Sequence, residues 1–224
     1  MDTLQLQRGK FKSWFDTTIN QQFQLRHELI GQILEGIFYT PTVDGWDIEL
    51  TNSGAIHLPL GYLTLATTTG NLYRMDTSYQ SLCGGIFGIL LNKIEVNETH
   101  NPTVFPLINQ FLQDRKWDCI RGAKIRQVDW NWKREPDCQL NGQKLSIGQA
   151  HKFLSEDSFV PESFVFHFEN GQSIYFFALE PDQRIEDKQT YTLISGGEEL
   201  LIFFDEADLK RWNINTLGFQ IRQD

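Results

Sequence analysis

The chain has only three cysteines in 224 residues, Cys83, Cys119 and Cys138, an odd number without C-x-x-C spacing. That argues against a disulfide framework and against a close-paired metal or redox site, and makes reduced thiols the expectation. Long apolar runs are missing as well. The most apolar stretch, Gly84 to Leu91, falls far short of the roughly 20 residues that cross a bilayer and reads as a buried strand. The opening residues mix acids with bases and hold no apolar core of export-signal length. A cytoplasmic protein without membrane association is therefore expected. Catalytic signatures are lacking too: there is no G-x-S-x-G, no Gly-rich phosphate loop and no H-E-x-x-H.

What is present is a chain of ordinary globular composition, 40% hydrophobic, whose 17 Phe, 6 Tyr and 6 Trp favour sheet packing. Its charge is unevenly spread. Between Ser155 and Asp208, thirteen Asp and Glu face only Arg184 and Lys188, a local balance of −11 within a net charge of −9. Arg115 to Arg134 runs the other way, with seven basic residues against Asp118 and Asp129.

Parts of the sequence echo one another. "SYQSLCGGIFGILL" (78–91) is echoed in "TYTLISGGEELLIFF" (190–204), each with a tyrosine, a glycine pair and an apolar run. "LIGQILEGIF" (29–38) matches "IRGAKIRQVD" (120–129), with Leu29, Gly31, Leu34 and Ile37 set against Ile120, Gly122, Ile125 and Val128. "LTNSGAIHL" (50–58) is set against "FENGQSIYF" (168–176). Landmarks kept in order are what a tandem duplication leaves, with an insertion in the second copy at about 133–162.

Local patterns fill in each copy. Residues 18–30 read as a helix stopped by Gly31, and Gly122 stands in the same relation to a helix expected from Thr103, with Leu107, Ile108, Phe111 and Leu112 on one face. "WDIELT" (46–51) alternates as a half-wet strand, and "SFVFHF" (163–168) is apolar on both sides, as in a strand covered twice. Residues 146–154 suggest a short helix, and Asp205 caps another. The fold expected is α+β, mainly antiparallel β, from two tandem helix-plus-strands units: 1–100, and 101–224 with its helical insertion.

Chemistry is sparse at this level. None of His27, His57, His100, His151 and His167 has metal-ligand spacing, although His167 and Glu169 would alternate onto one strand face. Cys83 before Gly84 lacks a nameable base, and Asp44, Asp47 and Glu49 fit a solvated strand face. No catalytic residue, cofactor or metal is expected. Arg121, Lys124, Arg126 and Lys133 with Trp130 and Trp132 would suit single-stranded nucleic acid, but alternation puts Val128, Trp130 and Trp132 on one side, as in a core face. Nucleic acid is accordingly disfavoured.

There remain the acids Glu180, Asp182, Glu186, Asp187, Glu198 and Glu199, expected to bind a basic protein partner. In size, acidity and lack of catalytic motifs the chain resembles the immunity proteins that neutralise bacterial toxins, which implies a non-enzymatic inhibitor occluding a cationic surface. The alternatives are an enzyme whose site lies between the two units and a single-stranded nucleic-acid binder through Arg115–Arg134.

Overall fold

The computed structural model describes residues 21–40, 56–59, 61–79, 87–95, 108–132, 139–140, 143–144, 161–181, 193–195 and 199–211. Helix α1 (21–29) leads into β1 (Leu34–Tyr39), followed by β2 (Ile56–His57), β3 (Tyr62–Thr67), β4 (Leu72–Tyr79) and β5 (Phe87–Ile94). After β6 (Ile108–Asn109) come helix α2 (Gln110–Gln113), a 3-10 segment (Arg115–Ile120) and β7 (Ile125–Trp132). The small hairpin β8 (Gln139–Leu140) and β9 (Gln143–Lys144) precedes β10 (Pro161–Phe168), β11 (Ser173–Pro181), β12 (Leu193–Ser195), β13 (Glu199–Phe203) and α3 (Glu206–Arg211). The chain is an α+β protein, mainly antiparallel β.

Two sheets carry the fold. The first has the order β5-β4-β3-β1-β6 and the second β2-β13-β11-β10-β7, with β12 also on β11. Every strand pairing in them is antiparallel. Period-two alternation aims Ile37, Tyr39, Leu63, Leu65, Tyr73, Met75, Ile89 and Leu91 inward from the first sheet. Val128, Trp130, Phe164, Phe166, Ile174, Phe176, Leu200 and Ile202 meet them from the second, in one continuous core. The outward face of the second sheet buries its own cluster, Phe177, Leu179, Leu201 and Phe203 with Leu58 and Leu209. Val165 and Ser163 are buried as well, so β10 is covered on both sides, as its sequence suggests.

The run β1-β3-β4-β5 and the run β7-β10-β11-β13 share order and pairing. Ile37 pairs with Leu65 as Val128 does with Phe166, and Met75 pairs with Leu91 as Phe176 does with Ile202. Their hairpins close alike: Thr67 N donates to Asn71 O at 3.0 Å and Phe168 N to Gln172 O at 2.9 Å, with Gly70 (φ 81) and Gly171 (φ 85) left-handed in the turns. The hairpin turn that closes like the one at Gly171 is at Gly70, within a threonine run. Residues 50–55 lie outside the described residues, and Ile56–His57 instead pair with β13. Both runs contain a long connection after the first strand, 40–61 and 133–160, so added length is not peculiar to the second.

The helical segments close the sides between the sheets. On α1, Gln22, Leu25 and Leu29 share a buried face at helical spacing. The Gln22 amide donates to Leu91 O at 2.7 Å and accepts from Leu91 N at 3.1 Å, satisfying the outer edge of β5 as a neighbouring strand would. Phe23 meets Trp130 edge-on at 4.6 Å. Gly31 (φ 85) ends the helix, its N–H donating to Ile125 O at 2.7 Å, and Ile125 N donates to Gln32 O at 2.8 Å. These bonds and the Ile33–Lys124 bridge tie the two sheets through backbone.

The helix expected from Thr103 is much shorter. Ile108 and Asn109 are extended because they pair with Tyr39 and Phe38 at the edge of β1. The Asn109 side chain accepts from Phe111 N, so the helix starts there and runs only four residues. Leu112, expected on an apolar face, is 76% exposed. Residues 103–107, "WDIELT" and 146–154 lie outside the described residues. The Asp205 cap is present, accepting from Ala207 N at 2.8 Å.

Trp130→Ala should destabilise by about 3–5 kcal/mol through the cavity it leaves. Gly122 (φ 75) has nothing within 4 Å of an added Cβ, so Gly122→Ala should cost only the left-handed strain of about 1–2 kcal/mol. Urea unfolding measures both, and the order of the two costs is the check.

Candidate functional site

Two histidines each sit between a hydroxyl and a carboxylate, and neither set is contiguous in sequence. The first links both sheets and the connector between them. Tyr39, on β1, hydrogen-bonds His57 Nδ1, on β2, and His57 Nε2 lies 3.1 Å from Asp114 Oδ2, just before the 3-10 segment. Trp117, Phe204 and Tyr39 surround the imidazole with ring centroids 4.8–6.0 Å from its own.

Burial dominates the electrostatics here. It pushes His57 down to about 4, against the opposing pull of Asp114 and with a smaller push from Lys116, so the ring is neutral at pH 7. It also pushes the Tyr39 phenol well above its ordinary value, keeping it a donor. The Trp117 indole N–H has no partner of hydrogen-bonding geometry, yet it lies close enough to oppose that rise weakly. A neutral ring facing a carboxylate must carry its proton on Nε2, leaving Nδ1 to accept from Tyr39. Tyr39, His57 and Asp114 each have a polar partner, and Tyr39 is 0% exposed.

The second set lies on the outward face of the second sheet. His167 on β10 is directly opposite Ser173 on β11, and its Nδ1 is 2.8 Å from Ser173 Oγ. Its Nε2 is 3.0 Å from Asp129 Oδ2, on β7. Gln127 Nε2 donates to the other oxygen of Asp129 at 2.7 Å, and Arg26 Nη2 of α1 lies 4.0 Å from it. Burial works against the charged Asp129, but the bonds from His167 and Gln127, with Arg26 nearby, outweigh it and hold the carboxyl below its ordinary range. The side chains of His167 and Asp129 are 25% and 15% exposed, against 12% and 37% for His57 and Asp114, so the two sets differ at the hydroxyl: Ser173 is partly exposed and Tyr39 is buried.

Other expected sites fare differently. Glu180 pairs with Ile194 near the end of β11, and Glu199 opens β13, half-buried and opposite Leu179. Asp182, Glu186, Asp187 and Glu198 lie outside the described residues, as do Cys83, Cys138, His100, His151, Asp44, Asp47, Glu49 and Lys133. Glu169 sits in the turn past the end of β10, its N–H donating to Lys124 O, so it does not share a strand face with His167. Among the described residues no three His, Cys, Asp or Glu form a group able to hold a metal ion. In the basic stretch, Lys124 and Arg126 are exposed, Arg121 pairs with Asp118 at 2.8 Å, and Trp130 is buried in the core. No helix among the described residues is long and apolar enough to cross a membrane.

No protein-family model, curated protein or solved structure matches the chain.

Because the folded His57 binds its proton only near pH 4, the unfolded chain protonates first, and this histidine's contribution is lost as pH falls from about 6.5 toward 4. His57→Gln keeps a donor and an acceptor but does not titrate. The fall in melting temperature between pH 6.5 and pH 4 should therefore be shallower in the variant than in the wild type.

Proposed function

We propose that the chain is an acidic binding protein that occludes a basic protein partner, of the toxin-neutralising immunity type, and that in this role it acts by covering its target and needs no chemistry of its own. The pairing at Leu179 carries the reading. Leu179 is partner to both Ser195 and Glu199, so the chain returns to the strand that holds Glu180 after an excursion of acidic sequence. Glu180 and Glu199, far apart in sequence, come to one end of the second sheet, and Asp182, Glu186, Asp187 and Glu198 belong to the segments joined to it. Negative potential gathered at one rim speeds and orients capture of a cationic surface, and its effect weakens with salt. The space between the sheets is filled by apolar side chains, which favours an outer surface over a site between two halves.

The same reading includes a doubled ancestral module. Matching order, registers and hairpin turns in β1-β3-β4-β5 and β7-β10-β11-β13 support it. So does a left-handed glycine before the first strand of each, Gly31 and Gly122.

Reversing Glu186, Asp187, Glu198 and Glu199 to Lys should abolish salt-sensitive capture of a basic protein from the organism's own cells while leaving the melting temperature nearly unchanged. Recovery of the same protein at the same salt by wild type and variant would refute the acidic-rim reading. Crystallographic coordinates of 29–39 with 62–94 should superimpose on 120–132 with 161–203, strand for strand; a different strand order in either set would refute the duplication.

A further inference from the structure

We propose that Ser173 is a reactive serine, with His167 as its general base and Asp129 as the positioning residue, able to accept the acyl group of a small carboxylic ester. This goes beyond the binding reading and stands apart from the acidic rim. It rests on the direction in which the protons must run. Asp129 is ionised and only accepts, so the His167 nitrogen facing it, Nε2, carries the ring proton. In the neutral ring Nδ1 is then the lone pair, and Ser173, 2.8 Å away, donates its hydroxyl proton to it. That is the wiring of an activated hydroxyl: nucleophile, base, and a carboxylate that fixes the tautomer.

Two features separate this from an ordinary cross-strand polar pair. Asp129 is itself anchored, taking a bond from Gln127 on its second oxygen with Arg26 alongside, so the imidazole is held from behind. Ser173 is the first residue of β11, just beyond the Gly171 turn, and is only partly buried, so it lies at the turn end of the hairpin and not in the core. The His57 chain has the same nitrogen assignment but ends on a Tyr39 hydroxyl sealed in the core, which no substrate reaches.

In the reaction, Ser173 Oγ bonds to the ester carbonyl carbon as its proton passes to His167 Nδ1. The carbon–oxygen bond to the alcohol breaks, and the departing oxygen takes that proton. Water then repeats the sequence: it gives a proton to Nδ1, bonds to the carbonyl carbon, and the bond to Oγ breaks with return of the proton to Ser173. An acid and an alcohol leave, and no other reactant is consumed.

The test uses the full chain with a fluorophosphonate probe and with p-nitrophenyl acetate. Peptide mass spectrometry should find the phosphonyl adduct on Ser173, and Ser173→Ala should lose both the adduct and ester turnover. His167→Asn should slow labelling about 100-fold or more. Asp129→Asn should slow it too by no longer fixing the tautomer, and Asp129→Glu, which keeps the carboxylate, should restore part of the rate. In case these variants fold poorly, Ser173→Cys supplies a separate reading: at pH 6 iodoacetamide should alkylate the thiol at position 173 at least about ten times faster than Cys119, whose thiol burial pushes up. Absence of an adduct on Ser173, labelling unchanged in a folded His167→Asn, or equal alkylation of the two thiols overturns the proposal.

Discussion

Burial of the two facing rows, Ile37 to Leu91 on one sheet and Val128 to Ile202 on the other, is the interaction on which everything else in the molecule depends. Each sheet alone would expose a face of large apolar side chains to water, and removing that area from water is the main favourable term in folding. Facing sheets still leave open strand edges and open sides. The chain meets that constraint with side chains and backbone from its helical segments. Gln22 substitutes for a strand at Leu91, Gln110 donates to Tyr39 O at 3.0 Å, and the Gly31–Ile125 and Ile125–Gln32 bonds join one sheet to the other.

The polar chains around the two histidines follow from this frame. Tyr39 projects from the first sheet into a space closed by Trp117 and Phe204, where an unpaired hydroxyl or imidazole would be costly, so the two pair with each other and with Asp114. His167 faces outward, where water relaxes that demand. Its neighbours nevertheless hold it in one tautomer, and the two sets differ in their hydroxyl, buried at Tyr39 and partly exposed at Ser173. Sealing makes the first an element of stability with a pH dependence. The partly exposed hydroxyl of the second is what the reactivity proposed for Ser173 requires.

Several features were legible because they rest on neighbours in sequence. Helix α1 and its left-handed stop at Gly31, the strand from Phe87, the doubly covered β10 and the Asp205 cap all come from spacing and from the conformational preferences of single residues. The Gly70 turn is not legible in this way because it carries threonines where the Gly171 turn carries Asn-Gly. The helix expected from Thr103 misled for another reason: edge pairing with β1 took Ile108 and Asn109 into a strand, and a tertiary partner overrides local periodicity.

The candidate site divides along the same line. Ser173 opposite His167 was only partly within reach of sequence, since Asn170-Gly171 marks a turn but a two-residue turn there would pair His167 with Ile174, and it is the three-residue loop between Phe168 and Gln172 that sets the register. Asp129 and Arg26 were not, because only the pairing of β7 with β10 and the docking of α1 bring them there. By itself the amino-acid sequence determined which segments are apolar on one face, where the chain must turn and where negative charge accumulates, all of which depend on residues a few positions apart. Tertiary structure alone decided which edge each strand meets, which hydroxyl is buried and which is partly exposed, and which carboxylate each imidazole faces, because these depend on contacts between residues that folding brings together from distant parts of the chain.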